Sequence, residues 1–225
     1  ALEGPSHVKA NIKDFMVLPG GAYGETDHGS EPVLTFLRLV PENPQDVGAG
    51  RELLGDVAAD GSIEFDVPPG KFVLYSGTYR EGFIIVNICA PGGGGMVLDH
   101  LNREAVERYL THFEAALRPF LGDQIGKDLR SLHCDSFEFT GANWTDDFET
   151  QFEARRGYSL TPYLPFVIEW PHVRGGDRFN DAVGRAQHDL WKTQAELFKE
   201  RFMQPFYQWC HRMGTDCRNE AYGCY

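Results

Sequence analysis

The chain has 225 residues and a formal net charge of −12, enough length for one large domain or two small ones with a real core. That charge excludes a nucleic-acid surface, which needs a basic patch that the sequence does not show. No run approaches the roughly 20 apolar residues of a membrane span.

Residues 1–90 are rich in Gly, Pro and β-branched side chains, and they predict an antiparallel, sandwich-like β region. Val33 to Val40 is a mostly apolar run. Ile63-Glu64-Phe65-Asp66-Val67 alternates strictly, Pro68-Pro69-Gly70 reads as a turn, and Lys71 to Tyr75 returns, which together predict a hairpin. Phe83 to Ile88 reads as a further strand. Pro91 followed by Gly92-Gly93-Gly94-Gly95 is a linker. A phosphate-binding loop does not suit those glycines, because Met96-Val97-Leu98 continues as a strand and no Lys-Ser or Lys-Thr follows.

Residues 91–225 switch to strand–helix alternation. Met96 to Leu98 is a short strand ending at Asp99-His100. Asn102 caps a helix whose stripe is Val106, Tyr109, Leu110, Phe113 and Leu117. Leu129 to Cys134 is the next strand, interrupted by His133, and it runs into Asp135, Ser136 and Glu138. A helix then starts at Thr145, with Phe148 and Phe152 on one face and Gly157 after Arg155-Arg156 at its end. A long helix runs from about Asp181 to Arg212, with Pro205 expected to kink it and Gly214 to stop it. Thr215 to Asn219 is the third strand. Three such repeats predict a parallel sheet and, as fold class, a partial (β/α)8 barrel behind the β region. Tyr222-Gly223-Cys224-Tyr225 reads as a strand end, and no initiator Met or signal peptide opens the sequence, so a fragment of a longer polypeptide is expected.

Each strand of the second half ends in polar, ionisable residues, which a parallel barrel gathers on one face. Asp99-His100, Asp135 with Glu138, and Asn219-Glu220 are those ends. Carboxylates beside exposed aromatics (Trp144, Tyr222, Trp170) suit carbohydrate, since rings cover the apolar side of a sugar and carboxylates take its hydroxyls or act as acid and base. The same oxygens suit Ca²⁺. Plainer roles stand beside these. Asp135 equally caps a turn, His100 and His133 fit hydrogen-bonded structural positions, and Asp146, Asp147 and Glu149 fit a solvated helix start. The five cysteines (Cys89, Cys134, Cys210, Cys217, Cys224) show no metal-ligand spacing and read as buried free thiols.

Val97-Leu98-Asp99-His100-Leu101-Asn102-Arg103-Glu104-Ala105-Val106, Cys134-Asp135-Ser136-Phe137-Glu138 and Gly141-Ala142-Asn143-Trp144-Thr145 resemble the catalytic region of α-L-rhamnosidases of glycoside hydrolase family 106. Phe152 to Tyr158, Pro162 to Pro165, Trp209 to Arg212 and Arg218 to Gly223 extend the resemblance over roughly residues 96–225. It implies inverting, calcium-assisted hydrolysis of α-L-rhamnosides, with Glu138 as general acid between Phe137 and Phe139, whose apolar surroundings would raise its pKa. The general base is expected beyond Tyr225. Glu220 stands where the family pattern has Gln, which opens a second assignment with Glu220 as a catalytic carboxylate. Asp99, Asp135, Asn143, Trp144, Asn219 and Tyr222 are expected to bind sugar, and the calcium ligands are unassigned. Secretion or a periplasmic location is implied. A non-catalytic carbohydrate-binding module and a barrel glycosidase of another sugar are the alternatives.

Overall fold

The computed structural model describes residues 1–16, 30–82, 91, 94–137, 142–168 and 175–220. Its strands are β1 (Leu2–Asn11), β2 (Val33–Pro41), β3 (Arg51–Glu52), β4 (Ser62–Tyr79), β5 (Ser131–Cys134) and β6 (Asp216–Asn219). Its helices are α1 (Arg103–Leu121), α2 (Ile125–Asp128), α3 (Phe148–Arg156), α4 (Leu164–Val167), α5 (Asp177–Phe198) and α6 (Gln204–Arg212). The chain divides into two compact units, residues 1–83 with 152–190 and residues 84–151 with 191–225.

The first unit is built on an antiparallel sheet in the order β1-β4-β2-β3. Alternation in β4 places Ile63, Phe65 and Val67 in a cluster with Leu37, Leu39 and Leu53, while Ser62, Glu64 and Asp66 face water. Each of those buried apolar side chains contributes about 1.5–3 kcal/mol. In β2 the buried stretch from Phe36 to Val40 is continuous rather than alternating. The reason is a second layer: Val40 also packs against Phe166 of α4 and Phe179 of α5. Among the described residues that second layer is helical. Among the described residues the antiparallel β region is one four-stranded sheet with helices packed on it.

The expected hairpin is also corrected. Ser62–Tyr79 is one strand of 18 residues, and Pro68-Pro69-Gly70 lies within it opposite the register shift between Gly4 and Ser6 of β1. Prolines inside a strand are accommodated at such an irregularity, where the ladder bonds they cannot donate are already interrupted. The strand expected over Phe83–Ile88 lies outside the described residues.

The second unit holds the parallel pair. Asn102 caps α1, accepting from the Ala105 N–H at 3.2 Å. Val106 and Leu110 of its stripe are buried and Phe113 packs against them, while Tyr109 faces outward, 53% exposed. The same cluster receives Phe202, Phe206, Trp209 and Cys210, and the Trp209 indole N–H donates to Glu114 at 3.1 Å. The expected kinked helix is α5 and α6 joined by a π-helical segment, Lys199–Met203, with Pro205 in the first turn of α6, where its missing N–H costs least. Gly214, at φ 75°, ends it. Met96 forms a single bridge rather than the expected three-residue strand.

β5 and β6 pair in parallel, as the strand–helix alternation predicts, with Leu132 opposite Cys217 and Cys134 opposite Asn219. Leu132, Cys134 and Cys217 turn inward to the helical cluster. A close backbone contact fixes the approach: a Cβ on Gly126 would stand 2.3 Å from the Gly214 carbonyl oxygen. The hydroxyl of Thr215 donates to the Leu129 carbonyl at 2.8 Å, and the Asp216 N–H to that of Arg130 at 3.1 Å. The architecture is mixed α/β, and among the described residues the parallel sheet has two strands.

Candidate active site

The pleat of β5 and β6 decides which side chains share a face. With Leu132 and Cys134 turned inward, His133 and Asp135 turn out. On the neighbouring strand Arg218 and Glu220 do the same, and the Glu220 N–H donates to the Cys134 carbonyl at 3.0 Å, extending the pairing by one residue. The carboxyl ends of two adjacent parallel strands thus bring His133, Asp135 and Glu220 together. One ligating atom from each lies within 4.8 Å of the others, and all three are exposed. The His133 Nε2 is 3.9 Å from Asp135 Oδ1, which also accepts from the Ser136 N–H at 3.0 Å. His133 therefore stands in the open acidic group and not in the structural position expected of it. The alternation of His133 with Leu132 and Cys134 was the signal that it turns out.

The other expected residues divide. Asp99 is largely buried and both oxygens are engaged: Oδ1 accepts from the Leu101 N–H at 2.9 Å and Oδ2 from the Thr145 hydroxyl at 2.8 Å. Burial raises its pKa above the usual aspartate value. Thr145 thus ties the Asp99 turn to the entrance of α3, and its backbone carbonyl, not its side chain, takes the Phe148 N–H. Asn143 is exposed, and its carbonyl accepts from Gln194 at 2.9 Å. Trp144 lies against Phe148, ring centroids 4.6 Å apart. Asn219 is half-buried, turned inward, with its Nδ2 3.9 Å from the Cys217 sulfur. Glu138, Tyr222 and Trp170 lie outside the described residues. Phe137, the neighbour of Glu138, is buried against Phe198 and Phe202 at 4.6 and 5.4 Å between centroids.

His100 keeps the structural role expected of it. It is buried among Phe137, Phe198 and Phe202, and burial pushes its pKa down to about 4, so it is neutral at ordinary pH. Asp147 is not a solvated helix start. Arg201, reaching back from the π-helical segment, holds both of its oxygens at 2.7 Å and also donates to the Leu101 carbonyl at 2.8 Å. That fork keeps the Asp147 carboxyl below its usual range. No local sequence pattern joins residues 54 positions apart. Cys134, Cys210 and Cys217 are free thiols, with burial pushing Cys134 up to about 11 and Cys210 up to about 12; Cys89 and Cys224 lie outside the described residues.

The exposed triad can bind hydroxyls, a water molecule or a cation. It does not fit calcium, which takes 6–8 oxygen ligands. Two carboxylates supply at most four oxygens, and the third donor is an imidazole nitrogen.

The chain is thus a mixed α/β protein in which two adjacent parallel strands end in converging carboxylates. The chain belongs to glycoside hydrolase family 106: the family model, described as alpha-L-rhamnosidase, matches residues 49–224. A protein of Formosa agariphila named "Putative beta-glucuronidase" is 31% identical over 170 residues, covering 72% of this chain and 14% of that protein. The solved structure of a rhamnosidase from Novosphingobium sp. PP1Y superposes with a TM-score of 0.58 at 25% identity, covering 78% of this chain and 17% of that one. The chain thus spans less than a fifth of the length of either relative. Among the described residues no helix is long and apolar enough to cross a membrane.

Proposed function

We propose that this chain carries the acid side of an inverting α-L-rhamnosidase acting outside the cytoplasm on rhamnose-containing glycans. The observation that carries the reading is the convergence of Asp135 and Glu220, on adjacent parallel strand ends, in a chain of the rhamnosidase family. Glu138, three residues beyond Asp135, is the proposed general acid, donating its proton to the glycosidic oxygen as the bond to the sugar breaks. The base that activates water belongs, in this reading, to a segment beyond Tyr225. Asp135 and Glu220 are not the acid–base couple of an inverting reaction, which needs about 6.5–9.5 Å between carboxyl groups, because their oxygens approach within 4.8 Å. Their role is to accept hydroxyl hydrogen bonds and orient the sugar, with His133 as a third partner. Glu220 keeps the second assignment, as a catalytic carboxylate, only if it couples to Glu138. Asn143, Trp144 and Tyr222 are proposed as further sugar contacts.

Calcium enters the proposal only as an ion whose oxygen ligands come largely from outside the triad, and no step above is routed through it. A glycosidase of a different sugar is the second reading, favoured by the relative named for β-glucuronide. Hydrolysis of an aryl α-L-rhamnoside by the full-length protein, with and without EGTA, tests both. Turnover that falls on chelation supports the proposal with calcium. Turnover on aryl β-glucuronide alone replaces the sugar, and binding without turnover on any glycoside overturns the hydrolase reading.

A further inference from the structure

Arg130, just before β5, and Arg218, within β6, bring positive charge to the parallel pair. A cavity of about 260 Å³ opens there, lined by Arg130, Ser131, Tyr207, His211, Asp216 and Arg218, with Cys217 behind them. In a chain of net charge −12, this lining sets two guanidiniums and an imidazole against one carboxylate. Arg130 and Arg218 are exposed and make no ion pair with any described residue, Asp216 included. Their forks are therefore open to a ligand, and a guanidinium matches the paired oxygens of a carboxylate or sulfate. Beside them Tyr207 lies against His211, ring centroids 4.0 Å apart, the imidazole Nδ1 standing 3.1 Å from the Tyr207 carbonyl oxygen one turn back. Tyr207 keeps half its surface exposed. The result is an aromatic platform next to two unpaired cations.

We propose that this cavity is an oxyanion site, adjoining the strand-end triad at Arg218, for the carboxylate or sulfate group of an acidic sugar. The volume suits one sugar unit, since pockets for larger organic ligands run to about 300–1,000 Å³. Arg130 and Arg218 take the anionic group, Tyr207 covers one sugar face, and Asp216 and the Ser131 hydroxyl accept or share hydroxyl hydrogen bonds. The choice of a sugar as carrier rests on the glycosidase reading. The oxyanion specificity rests on the arginine pair alone.

Ligand-observed NMR on the chain with glucuronate, with glucose and with inorganic sulfate as competitor tests it without reading any hydrolysis. The proposal expects saturation transfer to glucuronate, none to glucose at the same concentration, displacement by sulfate, and at least a tenfold weaker response in both Arg130→Gln and Arg218→Gln. Both residues are exposed, so the variants should fold, and an unchanged circular dichroism melt confirms it. Glucose binding as well as glucuronate overturns the oxyanion specificity. Sulfate binding without glucuronate overturns the sugar as carrier, and glucuronate binding unchanged in both variants overturns the site. Rhamnoside turnover is untouched by any of these outcomes, so a failed site and a failed hydrolase assignment are told apart.

Discussion

The two sheets of this chain treat their acidic side chains in opposite ways. On the antiparallel sheet several exposed carboxylates face a cation or an imidazole: Glu64 meets Lys9 at 2.8 Å, Asp66 meets His7 at 2.7 Å, and Glu52 meets Arg38 at 3.1 Å. At the carboxyl ends of the parallel pair, Asp135 and Glu220 converge without an ion pair to lysine or arginine among the described residues, an imidazole standing 3.9 Å from Asp135 and Arg218 turned to the same side two residues before Glu220. Like charges brought together repel, and a ligand that binds both relieves that repulsion. The first sheet thus sets cations and an imidazole against its acids, while the strand ends of the second leave theirs without an ion pair to lysine or arginine among the described residues.

The comparison requires the parallel pair to be held by its apolar underside and not by its polar face. Trp209→Ala removes the largest fully buried side chain of that underside and should cost about 3–5 kcal/mol, read from denaturant unfolding. Gly126→Ala pushes a methyl group into the Gly214 carbonyl, parting the segments that enter β5 and β6, and should cost about 1–3 kcal/mol. A neutral result for either would mean that the strands are not held from beneath.

How much of this was open to a reading of the sequence differs between the two sheets. Alternation at Ile63–Val67 gave the buried face of β4 correctly, but Pro68-Pro69-Gly70 looked like a turn because a strand of 18 residues is rare. Nothing local says that a bulge opposite Gly4 absorbs those prolines. In the second half, Asn102, Gly157 and Gly214 marked helix boundaries by conformational need, and the parallel pairing followed from the strand–helix alternation. Asp135 and Glu220 were legible as strand ends. His133 was not legible as their partner, because only the register of β5 against β6 brings the three together. The Asp147–Arg201 pair is invisible for the same reason, being long-range.

That pair offers a pH-dependent contrast with the open triad. Asp147 is held below its ordinary value of 3.8 by Arg201, so its contribution is present above that value and lost as pH falls through the lower folded value. Asp99, raised by burial, has the opposite sign: its contribution is present at low pH and lost as pH rises through its folded value. Asp147→Asn should cost about 1 kcal/mol near neutral pH, the side chain being 45% exposed and partly screened, and it should flatten the acid limb of a stability–pH curve. An unchanged acid limb would remove Asp147 from the account.

Glu220→Gln and Asp135→Asn should leave stability unchanged or slightly higher, by relieving repulsion, while lowering rhamnoside turnover in the full-length protein. A clear loss of stability in either would make the triad structural and end the contrast between the sheets. Lys9→Ala, the smallest effect, should leave the unfolding midpoint within error, since exposed pairs contribute little.

The most direct test of the proposed chemistry is the rate of Glu138→Gln in the full-length protein on two aryl α-L-rhamnosides, one with a poor leaving group and one with an activated one. A general acid is needed in proportion to how badly the leaving oxygen holds charge. The account predicts a loss of roughly 10²–10⁴-fold on the poor leaving group and a much smaller loss on the activated one. Equal losses on both, or no loss on either, would contradict Glu138 as the acid and return the assignment to Glu220.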